Sequence, residues 1–134
     1  MQECEDMSTA YGTFEELIDG KTEIVREIAI ELKKQVLKLH PDSIEVVRIG
    51  DRAAAFGHGS KKMSEAYCYI MPLKERVNLG FYHGALLQDP NKILEGTGKK
   101  LRHVKILSIK QAGSFDIVNL LSDAIAERKK TLEV

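Results

Sequence analysis

Apolar residues recur at three- and four-residue steps near both ends of the chain and at two-residue steps between them. The longer step predicts two amphipathic helices, because it places apolar side chains on one face of a helix. The shorter step predicts strands, in which successive side chains point to opposite faces. The predicted helices cover residues 21–39 and about 114–130, and the predicted strands cover residues 44–49, 52–56, 66–73, 76–82 and 102–107.

This order predicts an α+β fold. Short links between strands favour antiparallel pairing, so we expect an antiparallel sheet of about five strands. Each long helix has one apolar stripe, and both must bury that stripe against one face of the sheet. Thr13-Phe-Glu-Glu16 has the form of a capping box before a short helical turn. Residues 1–12 lack any period and are predicted to be a flexible tail, leaving residues 13–131 as a single domain.

Composition excludes several functional classes. The 134 residues carry no formal net charge, which argues against a general polyanion binder. Few aromatic residues lie among the bases, which argues against nucleic-acid binding. No apolar run approaches the length of about 20 residues that a membrane span needs, and no secretory leader opens the chain. We therefore expect a cytoplasmic protein with no membrane partner. Cys4 and Cys68 lie in such different surroundings that a disulfide between them is not predicted.

Charge is unevenly distributed. Residues 1–31 hold nine acids against two bases, whereas residues 92–105 hold five bases against one acid. Such an acidic end and basic centre can attract each other within the fold or form two separate binding surfaces.

The segment of residues 78–106 is predicted to form the functional surface. Its Gly96-Thr-Gly-Lys-Lys100 run lacks the glycine spacing and the Ser or Thr of a phosphate loop. Two glycines can nevertheless turn backbone N–H groups outwards beside several bases. We therefore hypothesise an anion or ligand site, although the simpler interpretation, a tight loop with solvated cations, is favoured. Its candidate residues are His83, Gly96, Gly98, Lys99, Arg102 and His103.

Strand alternation refines that hypothesis. If residues 102–107 form a strand, Arg102 and His103 point to opposite faces, and His103 shares the open face with Lys105. The histidines and cysteines lack the spacing of a zinc site, and no serine lies in a Gly-x-Ser-x-Gly elbow. We therefore name no catalytic residue and favour a non-enzymatic protein.

Carboxylates form a second candidate site on the first helix. Asp19, Glu23, Glu27 and Glu31 step by four residues, and such a ridge can hold a cation through oxygen. The simpler interpretation is a solvated helix face partly neutralised by Arg26 and Lys34, and spacing alone favours it.

Several segments resemble the YdhG-like family of small bacterial proteins. They are His40-Pro-Asp-Ser-Ile-Glu45, residues 77–90 (Val-Asn-Leu-Gly-Phe-Tyr-His-Gly-Ala-Leu-Leu-Gln-Asp-Pro), Leu94-Glu-Gly-Thr-Gly-Lys99 and Arg102-His-Val-Lys-Ile106. The resemblance extends over roughly residues 13–127. It departs from the usual pattern after Gly50, where Asp51-Arg52 stands in place of an early proline.

The resemblance implies a frataxin-like fold, with two helices on one face of an antiparallel sheet. One branch of the family is similar to intracellular iron chaperones, which implies ferrous iron as the ligand and iron–sulfur or haem assembly proteins as partners. By position, the resemblance assigns the iron to Asp19, Glu23, Glu27 and Glu31. The first hypothesis is therefore a ligand-binding protein, an iron chaperone in particular. The alternatives are a binding or catalytic site for an anionic small molecule at residues 83–103, and a plain protein-interaction module.

Overall fold

The structure, a computed structural model, describes residues 11–133. It is an α+β domain built on one antiparallel sheet in which each strand pairs with its neighbour in sequence. The six strands are β1 (Tyr11–Gly12), β2 (Ile44–Arg48), β3 (Ala53–Gly57), β4 (Ala66–Pro72), β5 (Val77–Phe81) and β6 (Arg102–Ile106). The helices are α1 (Phe14–Ile18), α2 (Glu23–Leu39), α3 (Ile109–Ala112) and α4 (Phe115–Leu132).

The sequence-predicted strands correspond to β2–β6, each within one residue at either end. The predicted count of about five is one too low, because Tyr11 and Gly12 pair with Arg48 and Val47 as a short edge strand. Those two residues belong to the segment predicted as a tail, and two residues are too few to show a period. Residues 1–10 of that segment lie outside the described part of the chain.

Side-chain caps fix where the helices begin. Thr13 and Glu16 form the predicted capping box at α1, where the Glu16 carboxylate accepts a hydrogen bond from the Thr13 N–H at 2.7 Å. The hydroxyls of Thr22 and Ser114 accept bonds from backbone N–H groups at the first turns of α2 and α4. The loop after β6 contains α3, which the sequence did not predict.

Helices α2 and α4 bury their apolar stripes against the same face of the sheet and against each other. The stripe of α2 is buried at Val25, Ile28, Ala29, Leu32 and Val36, and that of α4 is buried at Ile117, Leu120, Leu121 and Ala124. The other face of the sheet has no helix on it within residues 11–133, and we call it the open face.

A β-bulge changes the alternation at the start of β4. The β3–β4 register shifts between Phe56 and Gly57, so that Gly57 is opposite Ala66 and Phe56 is opposite Cys68. The consecutive residues Tyr67 and Cys68 consequently both join the core beneath the helices, and Ala66 packs on the open face. Strict alternation would have placed the Tyr67 ring on the open face.

Within residues 11–133, no helix combines the length and apolarity that crossing a bilayer requires.

Candidate functional site

The predicted anion-site loop is folded around its own arginine. One guanidinium nitrogen of Arg102, Nη1, donates to the carbonyl oxygens of Gly98 at 2.6 Å and Leu101 at 2.7 Å. Gly96 supports the same turn with a φ of 124°, a backbone conformation that favours glycine. Arg102 therefore closes the loop from residue 98 to residue 102, while Lys99 stays exposed beside it.

The two histidines of the predicted anion site lie in different places. His83 Nε2 is hydrogen-bonded to the carbonyl oxygen of Met63, near the end of α4. His103 is opposite Gly80 on the open face, as alternation predicted, and its backbone pairs with Glu95. The structure therefore does not bring the six candidate residues into one cleft.

The apolar residues between these histidines are largely structural. Leu87, Ile93 and Leu94 pack against the main core, whereas Leu86 remains exposed. Asp89 holds this segment in place, because its two carboxylate oxygens accept hydrogen bonds from the N–H groups of Ile93 and Leu94 at 3.0 and 2.9 Å. Residues 84–101 thus form a folded loop against the sheet and α4.

The predicted acidic ridge is only partly continuous. Asp19 follows α1 and precedes α2, and Glu23 and Glu27 are exposed on α2. Glu31 is engaged by Gln35, whose side-chain amide donates to its carboxylate at 2.6 Å. Across residues 11–133, no three histidine, cysteine or acidic side chains are grouped closely enough to hold a metal ion.

The open face carries a concave apolar groove. It is lined by Ala53, Tyr69, Met71, Tyr82 and Leu101, with Asp51 and Lys62 at its rim, and it encloses about 290 Å³. We call this the open-face groove.

Small residues create the depth of the open-face groove. Ala53 and Ala55 occupy the open-face positions of β3. Ala53 lines the groove, whereas Ala55 is covered by the tyrosines. Gly80 is directly opposite Tyr69, and the Tyr69 ring fills the space that a β-carbon at residue 80 would need. A glycine beneath an aromatic ring on the neighbouring strand is a recurrent way to complete a sheet face.

Two phenols form one wall of this groove. The rings of Tyr69 and Tyr82 lie 5.2 Å apart between centroids, and both pack with Ala55. Burial raises the pKa of both tyrosines, and for Tyr82 the nearby Arg48 charge offsets this only in part. Both side chains therefore remain neutral hydroxyls near neutral pH. At the rim, Lys62 Nζ and an Asp51 carboxylate oxygen form an ion pair at 2.7 Å.

The sequence pattern did not predict this groove, although the residues that form it are visible in the sequence. Three adjacent alanines lie in the predicted strand 52–56, and Gly80 lies in the predicted strand 76–82. What makes the groove is the pairing of those small residues with tyrosines on neighbouring strands, and a single strand pattern does not contain that information.

A cluster of polar side chains on the helix side of the sheet connects the end of α2 with β4 and α4. His40 Nδ1 lies 2.8 Å from the Tyr67 hydroxyl oxygen, and that hydroxyl donates to Ser43 Oγ at 2.9 Å. His58 Nε2 donates to the carbonyl oxygen of Ile125 in α4 at 2.9 Å. The two histidine rings are 4.7 Å apart between centroids. Burial and then the neighbouring His58 lower the pKa of His40.

An arginine near the C-terminal end of α4 is buried. Arg128 is only 6% exposed, and its guanidinium makes two hydrogen bonds, of 2.7 and 2.6 Å, to the carboxylate of Glu127. A third nitrogen donates to the carbonyl oxygen of Ser64 at 3.1 Å. The hydrogen bond from Arg128 is the main reason that the pKa of Glu127 lies below its ordinary value.

Comparison of the chain with protein-family models, with curated proteins and with solved structures gives no match.

Proposed function

We propose that this protein is a non-enzymatic binding protein that holds a small planar, largely apolar molecule in the open-face groove. The observation that carries the proposal is the groove itself, a concavity of about 290 Å³ between two tyrosine rings and Leu101 on the sheet face that the helices leave uncovered. Ligand sites in proteins are typically concave and mostly apolar, with a few polar groups that orient the ligand.

The chemistry of the lining supports binding rather than catalysis. The two hydroxyls stay protonated near neutral pH because burial raises the pKa of Tyr69 and Tyr82. Lys62 is occupied by Asp51. These groups can donate hydrogen bonds and stack against a ring, whereas a general base would need to titrate near the working pH.

The other candidate groups already have structural partners. Arg102 binds carbonyl groups of its own loop, His83 is bonded to the Met63 carbonyl, and Asp89 holds two N–H groups. A ligand at Asp89 would have to displace two hydrogen bonds, and a ligand at Arg102 Nη1 or His83 Nε2 would compete with a bond to the backbone. The open-face groove offers apolar area without that cost.

Titration with N-phenylnaphthylamine, a neutral aromatic dye that fluoresces in apolar surroundings, tests the proposal. We expect saturable binding to the wild-type chain at one site. Ala53→Leu should abolish binding by filling the groove, whereas Met71→Ala should preserve a site by enlarging it.

A matched control is Ala126→Leu, which adds the same side chain at an exposed position of α4. It should bind the dye like the wild type. Equal binding by the Ala53→Leu and Ala126→Leu proteins, with both folded by circular dichroism, would contradict the proposal.

The iron-chaperone hypothesis remains a prediction from the YdhG-like and frataxin-like resemblance. What supports it is the order of helix, antiparallel sheet and helix, together with the exposed positions of Glu23 and Glu27. In that case α2 would bind ferrous iron and contact the iron–sulfur or haem assembly partners. It lies on the side of the molecule away from the open-face groove. The two hypotheses concern different surfaces and can be tested separately.

A further inference from the structure

Arg48 stands beside the open-face groove. It is the last residue of β2, is directly opposite Ala53 and is half-buried. One of its nitrogens, Nη2, donates to the carbonyl oxygen of Ser60 at 3.0 Å, which fixes the side chain against the loop that also carries Lys62. Within residues 11–133 it forms no ion pair with a carboxylate.

The Tyr82 hydroxyl is a buried polar group for which residues 11–133 provide no hydrogen-bond partner. Tyr82 is only 4% exposed and lines the groove, yet its hydroxyl makes no hydrogen bond to any of residues 11–133. Burial raises the pKa of Tyr82, so the hydroxyl keeps its proton and remains a donor. Arg48 is opposite Ala53, and Ala53 and Tyr82 both line the groove, so the Arg48 side chain lies on the same face of the sheet as the phenol.

The Tyr82 hydroxyl needs a hydrogen-bond acceptor, and the Arg48 guanidinium attracts a negative charge. A buried donor without an acceptor costs about 1–3 kcal/mol, and a guanidinium attracts an anion most strongly where water is partly excluded. Around the groove, the bases Arg48 and Lys62 outnumber the single acid Asp51, so the local charge is positive. Leu101, on the opposite wall, adjoins the exposed Lys99 and Lys100.

We infer that the ligand of the open-face groove is an aromatic anion, whose ring lies against Tyr69 and Ala53 and whose carboxylate, sulfonate or phosphate lies between the Tyr82 hydroxyl and Arg48. The inference rests on the proposed function and adds the charge of the ligand to it. Arginine suits this role because its guanidinium has five N–H donors, so it can bind such a group while one N–H stays on the Ser60 carbonyl oxygen.

Two dyes with the same ring skeleton test the inference. Anilinonaphthalene sulfonate carries a sulfonate, and N-phenylnaphthylamine does not. We expect the sulfonate dye to bind the wild-type protein about tenfold more tightly than the neutral dye, a ratio that corresponds to about 1.4 kcal/mol. Because the added interaction is between charges, the preference should shrink as sodium chloride is raised.

Substitution of Arg48 then tests whether this residue causes the preference for the sulfonate dye. Arg48→Gln should bring the two affinities within about twofold of each other, and Arg48→Lys, which keeps the charge, should retain part of the preference. The control Arg52→Gln removes an exposed positive charge from the connection that follows β2. It should leave the ratio of the two dye affinities unchanged.

The outcomes separate the two claims. Equal binding of both dyes by the wild type, or an unchanged ratio in folded Arg48→Gln and Arg48→Lys proteins, overturns the anion inference and leaves the proposed function standing. A wild-type protein that binds neither dye overturns the proposed function and the inference with it.

Discussion

The side-chain amide of Gln111 completes the outer edge of the sheet at Lys105. Its Nε2 donates to the Lys105 carbonyl oxygen at 2.9 Å, and its Oε1 accepts from the Leu107 N–H at 2.8 Å. The amide thus occupies the position that a neighbouring peptide group would take. Glu95 pairs with His103 further along the same strand, so two residues from outside β6 cover the edge. An uncovered edge strand is a template for pairing with another chain.

We predict that Gln111→Leu destabilises the domain and promotes association. The change removes two hydrogen bonds to the backbone of the edge, and we expect a loss of about 1–2 kcal/mol in the free energy of unfolding. Urea denaturation measures the loss, and light scattering at high protein concentration measures association. Gln88→Leu adds the same side chain at an exposed glutamine for which we find no hydrogen bond in residues 11–133, and it should change neither quantity.

Gly80→Ala should destabilise the protein and weaken dye binding together. The added methyl group overlaps the Tyr69 ring, which must swing away from the groove wall. We expect a loss of about 1–2 kcal/mol in the free energy of unfolding, in the range of overpacking substitutions. In a Tyr69→Ala background, the same glycine substitution should cost less, because the two residues are in contact.

Gly98→Ala is the matched control for that experiment. Nothing lies within 4 Å of the position its β-carbon would occupy. The substitution should be neutral or slightly stabilising, since alanine restricts the unfolded chain more than glycine does. A penalty at Gly98 equal to that at Gly80 would argue against the specific contact with Tyr69.

Stability should decline below neutral pH through His40. The pKa of His40 is lowered in the folded protein by burial, by His58 and by Lys129, with Asp42 acting in the opposite direction. A lowered pKa means that the unfolded chain binds the proton first. The contribution of neutral His40 is therefore complete above its ordinary pKa of 6.5 and is lost as the pH falls from there towards the folded-state value.

Chemical denaturation between about pH 7.5 and pH 5 checks this expectation, since that range spans the ordinary histidine pKa. His40→Gln should flatten the decline. The same change at His103, whose ring makes no hydrogen bond within residues 11–133, serves as the comparison. A wild-type stability that rises as the pH falls through this range would contradict the assignment.

Glu127→Gln should destabilise the domain by leaving Arg128 buried without its carboxylate. Removing one member of a fully buried charged pair costs about 3 kcal/mol or more. Because the Glu127 side chain is partly exposed, we expect a loss of about 1–3 kcal/mol in the free energy of unfolding. Glu133→Gln, at an exposed position, should cost nothing measurable.

The contribution of the Glu127–Arg128 pair to stability should be lost in acid. The folded pKa of Glu127 is lowered, so its contribution is present above the unfolded pKa and is lost as the pH falls through the folded value. Denaturation below about pH 4.5 should therefore narrow the gap between wild type and Glu127→Gln, because the ordinary glutamate pKa lies near that value.

The iron hypothesis predicts that ferrous ion, titrated anaerobically in a calorimeter, gives a binding heat that the combined Glu23→Gln, Glu27→Gln and Glu31→Gln protein lacks. The reason is that hard and borderline cations prefer carboxylate oxygen. Replacing Glu15, Glu16 and Glu75 by glutamine removes the same charge elsewhere and should leave the heat unchanged. Identical heats in the two triple variants would reject the acidic ridge as the site.

The sequence predicted the elements of this fold better than their relationships. Period-two and period-four patterns located β2–β6, α2 and α4, because the buried stripes that produce those patterns are local. The bulge that moves Tyr67 into the core, and the pairing of Gly80 with Tyr69, depend on the register between strands. Arg102 illustrates the same limit, since its charge suggested an external ligand, whereas carbonyl groups of its own loop receive its hydrogen bonds.

The most direct test of the central claim is a map of where N-phenylnaphthylamine binds, obtained by titrating the ¹⁵N-labelled protein and following amide chemical shifts. The account predicts that the largest changes occur at Ala53, Tyr69, Tyr82 and Leu101, which surround the open-face groove, with little change along α2 or α4. Changes centred on the helices or on the loop around His83, with the groove amides unmoved, would contradict it.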